Sequence, residues 1–472
     1  MRRLSLLAAA ITAVLLAPHG RAATPPEVLA VIGGTLVDGT GAAPVPDAVV
    51  FIRDGRIACA GPRGACPIPE GVARLDATGA WVTPGLIDAH VHFSQTGWAD
   101  GRPDALDLRE RYPYEQVEAS LRYHPERFFR ADLCSGVTGV FDVGGYPWTW
   151  DLRKRAEQNP GAPHVSAAGP LLSTRDHWLN LPAERQFIYL ADEKTARAGV
   201  RYLAAFGTDA VKVWFIMEKE RPFEEMAAAV HAAGDEARRL NLPLIVHATG
   251  LKEAKEALRA GAHMLVHSVV DLPVDDEFIQ LAKRNGAIYC PTLTVFGGYV
   301  RMFDAVLAGK APLLDDPNHC VDAATRVRIA EAAIVGAEKV DKQKADARKA
   351  AVAGQEKVAA ANLKTVMDAG ITVAMGTDAG NPLTLHGPSV YAEMEAMAAA
   401  GLTPMQVLVA STHNGALAMG RLADIGTVEK GKIADLVVLG GDPTASTSNL
   451  RKVRYVVRTG VPHSIADLRS MP

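Results

Sequence analysis

The sequence predicts an α/β protein: a (β/α)8 TIM-type barrel with a small, discontinuous β-sandwich domain formed by both chain ends. Three observations support this fold class. Between residues 83 and 419, short apolar runs alternate with amphipathic helical segments, as in parallel strands joined by helices. The flanking segments are typical of short strands separated by Gly turns. The 472 residues are 48% hydrophobic, which is enough for a large core.

The first 22 residues are typical of a secretory signal peptide. Arg2 and Arg3 precede an apolar run from Leu4 to Ala17, and small residues follow. This run is shorter than the ~20 residues that span a bilayer, so a cleaved signal is favoured over a permanent anchor. We therefore expect export, to a bacterial periplasm, with no membrane attachment once the signal is removed.

Residues 27–82 and 420–466 are expected to be the two parts of the sandwich. In the first part, Val49–Ile52 is followed by Asp54-Gly55, a strong hairpin turn pair. In the second part, residues 431–439 and 453–457 are predicted strands. They follow the eight strand–helix units of the barrel, so they have no place in it. Their pairing with the N-terminal strands would make this domain discontinuous.

Residues 83–419 are expected to form the barrel. Its predicted strands are the runs 83–93, 137–143, 164–168, 209–216, 242–248, 263–269, 287–293 and 371–378. A helical insertion, rich in Ala and Lys, covers about 296–353 and follows the seventh run. Loops after barrel strands surround the active face, so the insertion is either a lid or a solvated elaboration. Its cationic run, Lys342 to Lys349, is most simply a solvated face.

The net charge and the cysteines exclude several classes of protein. The formal net charge is −3 with both signs interspersed, which predicts neither nucleic-acid nor anionic-membrane binding. A small-molecule or peptide substrate is therefore expected, and a homo-oligomer is left open. Five cysteines are too few for a disulfide scaffold. Cys59 and Cys66 flank a tight turn, and either a disulfide or two half-buried thiols would fit there.

Two histidines at the end of the first run suggest a metal site. His90 and His92 are two residues apart, so both imidazoles leave the same face of a strand. Imidazole is the commonest protein metal ligand. The eighth run ends in Asp378, which adds a carboxylate at the same end of the predicted barrel.

Three further runs place polar side chains at the same level. Lys212 lies among apolar residues of the fourth run, where desolvation would lower its pKa. A neutral amine can add carbon dioxide, and the resulting carbamate can bridge two metal ions; a lysine paired with a carboxylate is the alternative. His247 and His267 end the fifth and sixth runs, although either one alone could be an ordinary core histidine.

These side chains resemble the pattern of the amidohydrolase superfamily. The pattern is HxH on the first run, Lys on the fourth, His on the fifth and on the sixth, and Asp on the eighth. The segments 84–92 and 376–380 resemble the first-strand and last-strand motifs of that superfamily, and 426–437 resembles the C-terminal half of its small β-sandwich. The short gap between His247 and His267, with His386-Gly387 after the last run, resembles the imidazolonepropionase-related branch. That branch includes Xaa-Pro dipeptidases, carboxypeptidases acting on N-acyl amino acids, and ochratoxin-type amidases.

The resemblance implies a centre with two divalent metal ions, with zinc as the default and manganese or cobalt as alternatives. One ion would be held by His90, His92 and Asp378, the other by His247 and His267, and carboxylated Lys212 would bridge both. The resemblance implies a single metal ion and no bridging lysine for the imidazolonepropionases themselves. The presence of Lys212 therefore indicates the peptidase-like members of the branch.

The implied reaction is hydrolysis of a C–N amide bond in a dipeptide or an N-acyl amino acid. A metal-bridging hydroxide would attack the carbonyl, with Asp378 as general base and then general acid. His386 is a candidate substrate contact. The alternatives are hydrolysis of a cyclic amide or lactone, and a non-catalytic barrel that serves as a binding module.

Overall fold

The computed structural model describes residues 28–471 and has a mixed α/β fold. The predicted signal peptide, residues 1–22, lies outside the described residues. In chain order, the strands are β1 (Val28–Leu36), β2 (Val45–Arg53), β3 (Arg56–Pro62), β4 (Ala73–Asp76), β5 (Trp81–Pro84), β6 (Leu86–Val91), β7 (Val137–Asp142), β8 (His164–Ala167), β9 (Leu171–Ser173), β10 (Phe187–Tyr189), β11 (Val211–Trp214), β12 (Leu244–His247), β13 (Met264–Val266), β14 (Ile288–Cys290), β15 (Thr372–Val373), β16 (Leu436–Leu439), β17 (Val453–Arg458) and β18 (Val461–Ser464).

Helices follow most of the parallel strands. They are α1 (Tyr114–Tyr123), α2 (Glu126–Cys134), α3 (Thr149–Glu157), α4 (Glu193–Ala205), α5 (Phe223–Arg239), α6 (Leu251–Arg259), α7 (Asp276–Asn285), α8 (Val295–Ala308), α9 (Ala323–Ala330), α10 (Lys342–Asp368), α11 (Ser389–Ala399), α12 (Pro404–Ala410), α13 (His413–Ala418) and α14 (Ile465–Ser470). None of the helices within residues 28–471 is both long and apolar enough to cross a bilayer.

Strands from both chain ends form one eight-stranded sheet. Its order is β18-β17-β16-β5-β1-β2-β3, with β4 beside β1, and β16 pairs antiparallel with β5. At the β2–β3 hairpin, Asp54 and Gly55 have φ values of 52° and 71°. This left-handed backbone is what a two-residue hairpin turn needs, as the Asp-Gly pair predicts. Alternate residues of β2 pack into different apolar clusters, so both faces of this strand are covered.

The parallel strands form a seven-stranded sheet, β10-β9-β11-β12-β13-β14-β15, and a three-stranded sheet, β6-β7-β8. The eight predicted runs correspond to β6, β7, β8 and β11 to β15. The short strands β9 and β10 were not predicted, and they lie at the edge of the larger sheet. Only two residues of the last predicted run, Thr372 and Val373, pair as β15.

Backbone hydrogen bonds also join the two parallel sheets. Ala89 of β6 donates to the Met375 carbonyl at 3.0 Å, and Asp378 donates to the His90 carbonyl at 2.7 Å. On the other side, Asp209 donates to the Ala167 carbonyl at 3.2 Å. An apolar cluster collects side chains from β6, β7, β12, β13 and β14 together with Ala210 and Ala374. The end of the last run therefore lies directly beside the end of β6.

The predicted insertion is largely helical but extends further than expected. It comprises α8, α9 and α10, and α10 ends at Asp368 rather than near residue 353. Gly354 lies inside α10 without ending it. An isolated glycine costs only about 1 kcal/mol relative to alanine in a helix, which the strong helix formers around it can outweigh.

Four of the five cysteines are paired. Cys59 is bonded to Cys66, which resolves the alternative left open by the sequence, and Cys134 is bonded to Cys320. The second disulfide joins the end of α2 to the segment between α8 and α9. It therefore ties the insertion to the main fold, while Cys290 is free and buried.

Candidate active site

His90, His92 and Asp378 converge on one point. The His92 Nε2 atom lies 3.0 Å from Asp378 Oδ1, and the His90 Nε2 atom lies 3.4 Å from the same oxygen. The two Nε2 atoms are 3.3 Å apart. All three side chains are buried, and one ligand atom from each lies within 4.8 Å of the others. Two imidazole nitrogens and a carboxylate oxygen at this spacing fit a divalent cation such as zinc.

Hydrogen bonds orient this cluster from behind. The Nδ1 atom of His92 lies 2.6 Å from the Gly144 carbonyl oxygen, to which it must donate, so its Nε2 keeps a free lone pair. The Asp88 carboxylate accepts hydrogen bonds from the His90 amide at 3.1 Å and the Thr377 amide at 2.9 Å. Asp88 thereby fixes β6 to the residue that precedes Asp378.

His247 and His267 lie beside this cluster. Their ring centroids are 4.3 Å apart, and the His267 ring is 5.1 Å from that of His90. The His267 Nε2 atom lies 3.9 Å from Asp378 Oδ2, while its Nδ1 is 2.6 Å from the Thr292 hydroxyl. His267 and Asp378 both have left-handed backbone, with φ values of 70° and 64°. Such conformations cost about 1 to 3 kcal/mol each and cluster at functional sites.

Lys212 lies on β11, and its side chain is only 2% exposed. Within residues 28–471 no carboxylate lies within 4.0 Å of its ammonium, so the paired-lysine alternative finds no support. Burial lowers the pKa of Lys212 to about 7, although the charge of Asp378 opposes this shift. A large fraction of the amine is therefore neutral at physiological pH.

The protonation states of the other groups suit metal binding. Burial, reinforced by the positive charge of Lys212, holds the pKa of His90 and of His247 well below the ordinary value. Burial also lowers the pKa of His267. Burial alone would raise the pKa of Asp378, but its contact with His92 and nearby positive charge, including that of Lys212, lower it. His90, His247 and His267 are thus neutral imidazoles and Asp378 is an ionised carboxylate, the forms that ligate metals.

Comparisons with known proteins place this chain in a family. The family described as "Amidohydrolase family" matches residues 81–462. The chain belongs to the amidohydrolase family. It is 23% identical to 5-methylthioadenosine/S-adenosylhomocysteine deaminase from Symbiobacterium thermophilum, over 93% of this chain and 91% of the relative. It is 24% identical to imidazolonepropionase from Ralstonia nicotianae, over 90% of this chain and 95% of the relative.

The fold of this amidohydrolase is also similar to that of a solved Xaa-Pro dipeptidase. The TM-score is 0.69 at 21% sequence identity, covering 93% of this chain and 100% of the dipeptidase. The family and these relatives confirm the resemblance stated from the sequence, including the imidazolonepropionase-related branch. The protein is a hydrolase that acts on C–N bonds. Amidohydrolases generally use metal ions, in keeping with the His-His-Asp cluster.

The six predicted ligands of this amidohydrolase line a single cavity of about 490 Å³. This volume suits a small-molecule substrate. One wall is apolar and comes from the segments around β9 to β11 and β13: Leu171, Leu179, Phe187, Trp214, Ile216 and Val270. The insertion supplies Val295, Phe296, Tyr299, Arg348, Ala351, Val352 and Gln355. The insertion therefore forms a cavity wall, and Arg348, which is exposed as predicted, also contributes to that wall.

The structure does not bring His386 into this cavity. Its ring is buried and stacks against Phe128 and Phe93, with centroid distances of 4.4 and 5.0 Å. Its Nε2 lies 3.2 Å from the His92 carbonyl oxygen, and burial lowers the pKa of His386 to about 3. The prediction of a substrate contact is therefore wrong: His386 packs behind His92 as a neutral residue.

Several lining residues were missed by sequence reasoning. Arg102, Asp104, His177 and Asn381 all contribute polar groups to the cavity. Arg102 and Asp104 lie in the long segment after β6, and His177 lies between β9 and β10. No spacing rule marks such loop positions, and only their place after strand ends could have suggested them.

Proposed function

We propose that the protein is a binuclear, metal-dependent amidohydrolase that cleaves the C–N amide bond of a dipeptide or an N-acyl amino acid. The observation that carries this proposal is the buried Lys212 amine in one cavity with Asp378 and the four histidines predicted as ligands. A buried cation without a carboxylate partner is unfavourable, whereas a carboxylated lysine in the same place would be a metal ligand.

The donor set fits two divalent ions, with zinc as the default. His90, His92 and Asp378 would hold one ion, His247 and His267 the other, and carboxylated Lys212 would bridge them. Carboxylation joins the neutral Nζ to the carbon of carbon dioxide and releases one proton, which leaves a carbamate anion. When bound, the ions would supply an activated water at neutral pH and polarise the scissile carbonyl.

The protein's own groups would then bind the substrate and move a proton. The lowered pKa of Asp378 keeps its carboxylate ionised, so one of its oxygens can accept a proton during attack and pass it to the leaving amine. The hydrogen bond between His92 and Gly144 ties the end of β6 to the segment after β7, and those of Asp88 tie β6 to Thr377, next to Asp378. The apolar wall that includes Trp214 would exclude water from the scissile bond.

We also propose the finer features of architecture and location. Hydrogen bonds at both junctions between the parallel sheets support a closed barrel over residues 83–419. Apolar clusters on both sides of β2 support a sandwich formed by 27–82 and 420–466. Two disulfides support an oxidising compartment, and hence export to a periplasm by the 1–22 signal peptide.

A substrate panel tests the proposed reaction. Zinc-loaded protein is incubated with dipeptides, N-acyl amino acids, cyclic ureides and lactones, and the released products are quantified. We expect turnover of a linear amide, its loss on chelation, and its return when zinc is restored. The Asp378→Asn variant controls for contaminating hydrolases. Turnover of only cyclic ureides or lactones would replace the proposed substrate class, and Asp378-dependent binding without turnover would indicate a binding module.

A further inference from the structure

Arg348, on the cavity wall, is an arginine without an acidic partner among residues 28–471. Three lysines next to Arg348 on α10 each pair with a carboxylate: Lys342 with Asp346 at 2.6 Å, Lys344 with Asp341 at 3.2 Å, and Lys349 with Asp304 at 2.7 Å. Within residues 28–471, Arg348 has no carboxylate within 4.0 Å and forms no hydrogen bond through its side chain. The guanidinium is thus an uncompensated positive charge.

Aromatic rings hold this guanidinium at the cavity. Its Cζ atom lies 4.7 Å from the centroid of the Tyr299 ring and 5.8 Å from that of Phe303, both on α8. Arg348 is exposed and also lines the cavity, so it lies where the cavity opens to solvent. Stacking of this kind orients the planar guanidinium while leaving its N–H groups free to bind an anion.

The neighbouring arginine is already engaged. Arg102 binds Asp104 through two parallel hydrogen bonds of 2.8 Å, and it also donates to the Asn381 side chain. Tyr299 donates to the same Asn381 oxygen at 2.5 Å. Arg102 therefore serves to fix the cavity wall, and Arg348 is the arginine that remains available to a ligand.

We propose that Arg348 is the specificity-determining residue that binds the carboxylate of the substrate. This inference rests on the proposed function, and it assigns a binding residue to the free carboxylate that dipeptides and N-acyl amino acids both carry on the amine half. A guanidinium matches a carboxylate with two parallel hydrogen bonds, which gives both affinity and orientation. The apolar wall that includes Phe187 and Trp214 would receive the uncharged acyl half.

A matched pair of amides tests this role. N-benzoyl-L-phenylalanine and N-benzoylphenethylamine share the same amide and both rings, and they differ only in the carboxylate. Benzoate release and calorimetric binding are measured for the wild type, Arg348→Ala and Arg348→Lys. Lys349→Ala is the control, because this neighbouring lysine is paired with Asp304 and does not line the cavity.

We expect wild-type protein to prefer the carboxylate-bearing amide, and Arg348→Ala to lower kcat/KM for it by about 10- to 100-fold, mainly through KM. The same variant should change kcat/KM for N-benzoylphenethylamine by less than about threefold, because that amide has no carboxylate for Arg348 to bind. Arg348→Lys should recover part of the loss, because it keeps the charge but not the paired geometry.

The outcomes separate this inference from the proposed reaction. Arg348-dependent binding of N-benzoyl-L-phenylalanine without benzoate release would support the carboxylate contact and contradict the hydrolysis. If Arg348→Ala lowers kcat/KM equally for both amides, or does not lower it for either, the role of Arg348 is overturned. Hydrolysis by the wild type would still support the proposed reaction. Failure of the wild type to bind N-benzoyl-L-phenylalanine at all would overturn the inference.

Discussion

Replacing Lys212 with alanine removes the proposed bridge between the two metal ions. Lys212 is 2% exposed in the cavity that holds the other five predicted ligands, so the substitution removes the only amine among these six side chains. Alanine leaves His90, His92, His247, His267 and Asp378 unchanged, and a small cavity remains where the side chain was. The variant therefore separates the bridge from the rest of the site.

The size of the effect follows from the lowered pKa of this lysine. Burial lowers the pKa from 10.5 to about 7, so about half of the amine is neutral at pH 7. An ordinary lysine is neutral in only about one molecule in 3000 at that pH. The neutral form is the one that reacts with carbon dioxide, so the site favours carboxylation over all exposed lysines by a factor on the order of 1000.

Metal analysis and carbon NMR measure the consequence. We expect bound zinc to fall from about two to about one ion per chain or less, and kcat/KM to fall about 100-fold or more. Protein prepared in ¹³C-bicarbonate should show a carbamate signal that Lys212→Ala lacks and that the exposed-lysine control Lys364→Ala keeps. Acetate should restore part of the activity. Full activity and two ions without Lys212 would refute the bridging role.

Three further substitutions and one disulfide test other parts of the account. The folded pKa of Lys212 lies below its unfolded value of 10.5, so unfolding takes up a proton between pH 7 and 10.5. The free energy of unfolding of the metal-free wild type, measured by urea unfolding, should therefore rise with pH across that window by up to about 5 kcal/mol. Lys212→Met should lack this pH dependence. An equal pH dependence in both proteins would contradict the lowered pKa of Lys212. Asp378→Asn should keep some metal yet lose kcat about 100-fold or more, and unchanged turnover would remove its role as proton carrier. Asp88→Ala leaves the buried amides of His90 and Thr377 unpaired. It should therefore lower the free energy of unfolding by about 2 to 3 kcal/mol and the zinc affinity by about 10- to 100-fold. Unaltered zinc affinity would disprove the positioning role of Asp88. Reducing the Cys134–Cys320 disulfide, or replacing Cys134 with serine, should lower the free energy of unfolding by about 2 to 4 kcal/mol, measured by chemical denaturation. An unchanged free energy of unfolding would show that this disulfide is dispensable for stability.

The convergence of the four histidines and Asp378 on one cavity could be predicted because each of them lies at the end of an apolar run. The period-2 geometry of a strand puts His90 and His92 on one face, and parallel strands bring their carboxyl ends to one edge. The same logic placed His247, His267 and Asp378 at this edge, and Lys212 stood out as a charge buried within the fourth run; their role as metal ligands stays a prediction. That logic did not reveal that His267 and Asp378 adopt left-handed backbone, because that conformation depends on the contacts after the strand ends.

Features that depend on distant contacts could not be predicted. Cys134 and Cys320 are 186 residues apart, and nothing in their local sequence indicates a pair. Arg348 is exposed like the lysines around it, and its contacts with the rings of Tyr299 and Phe303, which place it at the cavity, could not be read from its local sequence. His386 follows the last strand as a substrate contact would, yet stacking on Phe128 turns its ring away from the cavity.

The most direct test of the central claim is anomalous diffraction from crystals grown with zinc. We predict two anomalous peaks in the cavity, one among His90, His92 and Asp378 and the other beside His247 and His267. Continuous density from Lys212 Nζ should bridge them with the shape of a carbamate. A single zinc ion with an unmodified Lys212 amine would contradict the binuclear centre.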